Sequence, residues 1–182
     1  MAGSRAWPLA ERLRQWGFSW QGLADNRRGE WWLLAQIGLI AAHLLPALPP
    51  PAQLGLAWPL ALRLLGWSLF GLGLALAARG VFNLGASLTP LPDPLPGAAL
   101  ITSGAYGRCR HPLYQAMLMC SLGMAVALGS LLHLVLLLAL AAVLSGKARR
   151  EEHRLLELHP QYSTYRSATP AIVPGLPGLD WR

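Results

Sequence analysis

Residues 112–146 are almost continuously apolar, and that length decides how the chain can fold. As a single α-helix the stretch would run about 50 Å, well past the roughly 30 Å hydrocarbon core of a bilayer. It must fold back on itself, and Gly129-Ser130 is the natural break. Two spans, 112–129 and 130–146, then form a hairpin whose two ends return to the same membrane face. His111 and Glu151, distant in sequence, are expected to meet there.

Two more apolar segments precede the hairpin. Residues 31–48 are closed by Pro49-Pro50-Pro51, and residues 59–79 are closed by Arg79. The chain is 54% hydrophobic and 13% charged, whereas a soluble domain carries about 25% charged residues. The sequence thus predicts an all-α integral membrane protein with about four transmembrane helices. Of fifteen lysines and arginines only Arg63 falls near the Pro49–Trp58 loop and the Gly129 turn. The rest lie in the N-terminal segment, after the second span or in the C-terminal tail, which makes those segments cytoplasmic. The net charge of +7 sits beside apolar segments. It does not form a basic patch interleaved with stacking aromatics, so membrane topology and anionic headgroups explain it better than nucleic acid.

Residues 1–30 form a separate N-terminal segment, and residues 31–182 the membrane domain. Trp7, Ala10, Leu13, Trp16, Gly17 and Trp20 recur at helical spacing, predicting an amphipathic helix in the membrane interface. No apolar core of a cleavable signal peptide is visible in this region. Residues 80–111 are expected to be a long surface linker, because Pro90, Pro92, Pro94 and Pro96 exclude helix. Residues 147–159 continue the last span as a charged cytosolic helix, followed by a Pro/Gly-punctuated tail to residue 182. Cys109 and Cys120 lack metal-ligand spacing and are expected to be free thiols. No metal site and no obligate protein partner is indicated.

Polar chemistry gathers at the two ends of the hairpin. Before it stands Gly104-Ala-Tyr-Gly-Arg-Cys-Arg-His-Pro-Leu-Tyr114; after it stands Lys147-Ala-Arg-Arg-Glu-Glu152. Pro112 suits the first helical position, which puts His111 at the cap and Tyr114 one turn along the same face. The free N–H groups of that helix start, with Arg108 and Arg110 adjacent, fit a carboxylate or phosphate. The competing explanation is that both arginines are positive-inside anchors. Glu151 has two readings as well: a surface ion pair with Arg154 three residues on, or a carboxylate turned toward a ligand's ammonium, hydroxyls or sulfonium.

These residues carry a family resemblance. The 104–114 run resembles the Gly-Pro-Tyr-x-x-x-Arg-His-Pro-x-Tyr signature of the isoprenylcysteine carboxyl methyltransferase family and its bacterial relatives. Lys147–Leu156 is similar to that family's Lys/Arg-x-x-x-Glu-Glu-x-x-Leu segment. Tyr162, Tyr165 and Arg166, then Pro170 and Pro174, resemble its closing elements. The likeness covers residues 66–174, with Ala105 in place of the usual proline and Gly107 where an arginine is common. It implies a membrane methyltransferase using S-adenosylmethionine on the cytosolic side. Tyr106, His111, Pro112, Leu113, Tyr114, Glu151, Glu152, Tyr162, Tyr165 and Arg166 would then hold the cofactor, and Arg108, Arg110 and Glu152 would serve the reaction. The implied acceptor is small or lipophilic and presents a carboxylate, thiol or amine.

Two other readings stay open. Related architecture also serves NADPH-dependent reductases. His43, His133 and Arg63 fall toward the non-cytoplasmic ends of their spans, and the two histidines could instead ligate a b-type haem with Arg63 near a propionate. Gly71-Leu-Gly73 in the second span predicts close helix packing, or an approach for the cofactor.

Overall fold

A computed structural model describes residues 20–95 and 97–182. The expected interfacial helix over 7–20 lies outside the described residues except at Trp20, where helix α1 (Trp20–Asp25) begins. Four apolar helices follow: α2 (Glu30–Ala42), α3 (Leu60–Leu84), α4 (Pro112–Leu128) and α5 (Leu131–Leu158). A short α6 (Tyr162–Ala168) lies in the tail. Among the described residues the regular structure is helical, with a lone bridge between Pro177 and Asp180.

Two of these helices, α3 with its 3-10 extension to Ser87 and α5, are long and apolar enough to cross a membrane. Helices α2 and α4 are apolar but shorter, at 13 and 17 residues. Helix α2 stops at Ala42, well before residue 48. Pro46 explains this, because the ring of a proline disfavours helical backbone at the residue before it. Helix α3 runs beyond Arg79 to Leu84, where Gly85 turns the chain with φ 52°. Arg79 is exposed on the helix side, and its charge ends nothing.

The break at Gly129-Ser130 is where the length argument places it. Gly129 adopts the left-handed conformation at φ 57°, and a side chain there would strike the ring of Trp58. Ser130 caps α5 by accepting from the His133 N–H. Helix α5 then continues without interruption from its apolar half into the charged residues 147–158.

Packing runs in series: α3 on α4, α4 on α5, and α5 on α2. The α3–α4 seam is made by glycine. The buried residues of α3 are Gly66, Gly73 and Gly80, seven apart and therefore nearly on one face. A methyl at Gly66 would overlap the backbone of Gly123 and Ala127, one at Gly73 the Cys120 sulfur, and one at Gly80 the Leu113 side chain. Gly73 thus packs as expected, but Gly71 is exposed with nothing near it. The rest of α3 presents Leu60, Leu64, Trp67, Leu72, Leu74 and Phe82 outward.

The tail does not hang free. Arg110 and His111 donate their backbone N–H groups to the carbonyls of Pro170 and Ala171, at 2.9 and 3.0 Å. Asp180 accepts from the N–H groups of Ala171 and Gly175 and so closes the return. Ala171 and Ile172 join Tyr114, Leu140, Leu144 and Ala148 in the core. The proline-rich linker is also less superficial than its sequence suggests, since Leu91 and Pro92 are buried.

At the opposite end of the bundle His43 and His133 are buried and hydrogen-bonded. His43 Nδ1 lies 2.7 Å from the Leu39 carbonyl and its Nε2 lies 2.6 Å from the Ser121 hydroxyl. His133 contacts the Ser130 hydroxyl and the His43 carbonyl. All four ring nitrogens have protein partners, and the rings meet edge to face with centroids 5.8 Å apart. That leaves no free ring nitrogen facing a haem. Cys109 and Cys120 are free thiols.

Candidate active site

The hairpin brings its two ends together. Helix α4 starts with Pro112 at its first position and His111 at the cap. Helix α5, antiparallel to it, delivers Glu151 and Glu152 to the same level. His111 Nδ1 lies 3.7 Å from Glu151, and its Nε2 lies 2.9 Å from Glu152 Oε1. A carboxylate oxygen only accepts, so the Nε2 position carries the proton of that bond.

Glu152 is the centre of a buried cluster. Arg110 Nε donates to its Oε1 at 2.8 Å, Trp181 donates its indole N–H to Oε2 at 2.8 Å, and Arg166 Nε lies 3.4 Å from Oε2. The rest of the Arg110 guanidinium donates to the backbone carbonyls of Arg166, Thr169 and Trp181. Burial alone would push the Glu152 carboxyl up. The hydrogen bond and charge of His111, with bonds from Arg110 and Trp181, outweigh it and bring the group down to about 2. The charged half of α5 therefore carries an ionised carboxylate held by hydrogen bonds from Arg110, His111 and Trp181. The anion expected to meet Arg110 and His111 is this side chain, supplied by the protein itself.

Glu151 differs. Its Oε2 accepts from the Tyr114 hydroxyl at 2.9 Å, and the residue faces a chamber of about 330 Å³. Tyr106, Arg110, His111, Tyr114, Lys147 and Glu151 are among its lining residues, with Gln36 and Thr89. Arg154, expected as a partner of Glu151, instead pairs with Glu157 at 2.9 Å and approaches Asp93 at 4.0 Å. Lys147 is 2% exposed. It donates to Gln36 Oε1 at 2.6 Å and to the Pro90 carbonyl at 2.7 Å, and it stands 5.4 Å from the Tyr114 ring centroid. The Tyr114 ring also stacks on His111, with planes 3° apart.

A smaller recess of about 80 Å³ adjoins the chamber and shares Tyr106, Arg110 and Glu151 with it. Tyr162 and Tyr165 line the recess. Tyr165 donates to the Tyr106 carbonyl at 2.5 Å. The Tyr162 hydroxyl is buried with no protein partner. Burial, then the charge of Glu152, raises the Tyr162 phenol and keeps it a neutral donor.

The residues expected at the site are therefore distributed. Arg110, His111, Glu152 and Arg166 form the cluster. Tyr106, Tyr114 and Glu151 face the chamber, Leu113 lines it, and Tyr162 and Tyr165 face the recess. Pro112 acts through the helix start. Arg108 is exposed and borders neither cavity. Sequence reasoning gave no site role to Lys147, Gln36 or Trp181. The signal for Gln36 is a lone amide in an apolar span. Lys147 is buried where a charged helix emerges from an apolar one. Trp181 had no signal short of the fold.

The geometry suits a polar ligand of nucleoside size carrying both charges. Glu151 offers a carboxylate to an ammonium, a sulfonium or hydroxyls; Lys147 offers a cation to a carboxylate; the tyrosines offer neutral donors and ring faces. Among the described residues no group of three or more His, Cys, Asp or Glu side chains is placed to hold a metal ion.

A family model described as phospholipid methyltransferase matches residues 62–161, which holds the whole hairpin and both of its polar ends. The cobalt-zinc-cadmium resistance protein CzcN of Cupriavidus metallidurans is 40% identical over 78 residues, covering 42% of this chain and 36% of that protein. The nickel-cobalt-cadmium resistance protein NccN of Alcaligenes xylosoxydans xylosoxydans is 36% identical over 78 residues, 42% of this chain and 37% of its own length. In these matches the chain spans little more than a third of the length of either curated relative.

Proposed function

The chain belongs to the phospholipid methyltransferase family, and from that premise we propose that it is an S-adenosylmethionine-dependent membrane methyltransferase. Its acceptor is small or lipophilic and presents a carboxylate, thiol or amine, as in the isoprenylcysteine carboxyl methyltransferases that its motifs resemble. The observation that carries the reading is the chamber around Glu151. A carboxylate, a buried lysine and two tyrosines line it, and Tyr162 and Tyr165 line an adjoining recess.

The residues present fit the cofactor. Glu151 would hold its ammonium or ribose hydroxyls, Lys147 a carboxylate, and Tyr162 with Tyr165 the far end in the recess. When bound, S-adenosylmethionine supplies an electrophilic methyl group on a sulfonium sulfur. The protein's part is to position and to exclude water, since an in-line displacement onto a carboxylate needs no general base. Tyr106 presents an aromatic ring to the cation. The Arg110–Glu152–His111 cluster fixes the 104–114 segment against α5, and hence the chamber wall.

The outward apolar face of α3 supports a bilayer around the bundle. We infer four spans, with α2 and α4 crossing as shorter helices, and the charge distribution turns the site toward the cytoplasm. The reading is tested by titrating detergent-purified protein with S-adenosylmethionine. Saturable binding that weakens at least tenfold in Glu151→Gln supports it, and folded wild-type protein that does not bind overturns it.

A further inference from the structure

A third cavity, of about 290 Å³, adjoins the polar chamber. It is lined almost wholly by carbon, with Ile40 and Leu44 of α2, Phe70 and Leu74 of α3, and Met124 of α4 among its walls. Outward-facing apolar side chains flank it, so the bilayer hydrocarbon is its natural neighbour. The polar chamber and this apolar one share two wall residues, Ala77 and Met117. Ala77 is too small to divide them. Met117 is therefore the partition.

Met117 is held in an unusual way. Lys147 can only donate, so the Gln36 atom it meets at 2.6 Å is the carbonyl oxygen. The Gln36 amide N–H then points to the Met117 sulfur at 3.2 Å. Gln36 is buried in α2, Lys147 in α5, and Met117 stands on α4. The lysine bond is charge-assisted and fixes Gln36, whereas a thioether is a weak acceptor. The bond to sulfur can thus break at low cost while its support stays. Methionine is unbranched and changes rotamer readily.

We propose that Met117 is a gate between the two chambers, latched shut by Gln36, and that an acceptor's hydrocarbon tail must displace it to bring its polar end to the methyl donor. This rests on the lipophilic-acceptor reading above. With the latch shut, bilayer hydrocarbon stays out of the polar chamber. With Met117 swung away, the two cavities become one, with a charged half and an apolar half. Met117 then also sets how much of a tail can pass.

The gate can be tested without methyl donor or acceptor. The full chain in lipid nanodiscs is irradiated with a small lipid-soluble aryl diazirine, and labelled residues are mapped by mass spectrometry. In wild type, label is expected at Phe70 and Met124 and only background at Tyr106, His111 and Tyr114. In Met117→Ala, label at those three should rise from background to parity with Phe70. Met117→Leu, which restores bulk, should return it to background. Gln36→Leu keeps the methionine but removes the latch, and should give label at Tyr114 above wild type even if Met117→Ala does not fold. Wild-type label at Tyr114 equal to that at Phe70 would overturn the gate, as would Met117→Ala label that stops where wild type stops. Unchanged label in folded Gln36→Leu would overturn the latch. Loss of S-adenosylmethionine binding, measured separately, bears on the enzymatic reading alone.

Discussion

Glu151 and Glu152 leave the same helix one residue apart and meet opposite surroundings. Glu152 is enclosed by Arg110, His111, Trp181 and Arg166 and lines neither the chamber nor the recess. Glu151 has one tyrosine partner and faces open volume. The pair shows how a short motif divides its work. One carboxylate joins the chain segments that build the site, and its neighbour is left for what the site receives. A mutation that abolishes activity at either position would look the same in an assay and have a different cause.

Separating stability from binding is the way to break this comparison. The largest effect is expected from Arg110→Leu, which strands Glu152 as a buried carboxylate with too few partners; breaking such a pair typically costs about 3–5 kcal/mol. Thermal unfolding in detergent should show that loss, and near-wild-type stability would contradict the role given to the cluster. Glu151→Gln should leave the unfolding midpoint nearly unchanged and weaken S-adenosylmethionine binding by about 1.5–3 kcal/mol, the worth of a hydrogen bond to a charged group. Calorimetry on the same preparation reads both halves of that statement.

Smaller changes sharpen it. Trp181→Phe removes one donor from Glu152 and keeps the ring, so a stability loss of about 1.5 kcal/mol is expected with donor affinity little changed. Tyr162→Phe deletes a buried hydroxyl that lacks a partner. The empty protein should become more stable by about 1 kcal/mol while binding of S-adenosylmethionine weakens. If the empty protein is instead destabilised, the hydroxyl has a structural role. Acid provides a further separation. The Glu152 carboxyl is lowered from its ordinary 4.5 to about 2. Its contribution is therefore whole above the higher value and drains as pH falls toward the lower. Wild-type unfolding midpoints should decline across that window, and Glu152→Gln should flatten that part of the profile.

Much of this arrangement could be read from the amino-acid order. The length of 112–146 forced a turn, Gly129-Ser130 placed it, and the turn implied that His111 and Glu151 meet. Those inferences rest on chain geometry, which sequence carries well. Helix ends were read less well. Pro46 ends α2 before the more conspicuous Pro49-Pro50-Pro51, and Arg79 does not end α3 because an exposed charge on a helix side costs little. The glycine seam hid in a seven-residue spacing, Gly66, Gly73 and Gly80, while the eye falls on the closer Gly71 and Gly73. Partner choice was least legible. Spacing pairs Glu151 with Arg154, yet Tyr114 from another helix takes it and Arg154 turns to Glu157. Arg108 and Arg110 look equivalent in sequence, and only the fold buries one and exposes the other. The Trp181 contact depends on a tail that returns over the motif, which no local pattern announces.

The central claim is that Glu151 serves the methyl donor and Glu152 serves the fold. Isothermal titration of S-adenosylmethionine into folded Glu151→Gln protein, against wild type in the same lipid, tests it most directly. The account predicts saturable heat in wild type and affinity weakened about 10- to 150-fold in the variant, at equal thermal stability. Wild-type-like binding by Glu151→Gln, or no binding by folded wild type, would contradict it.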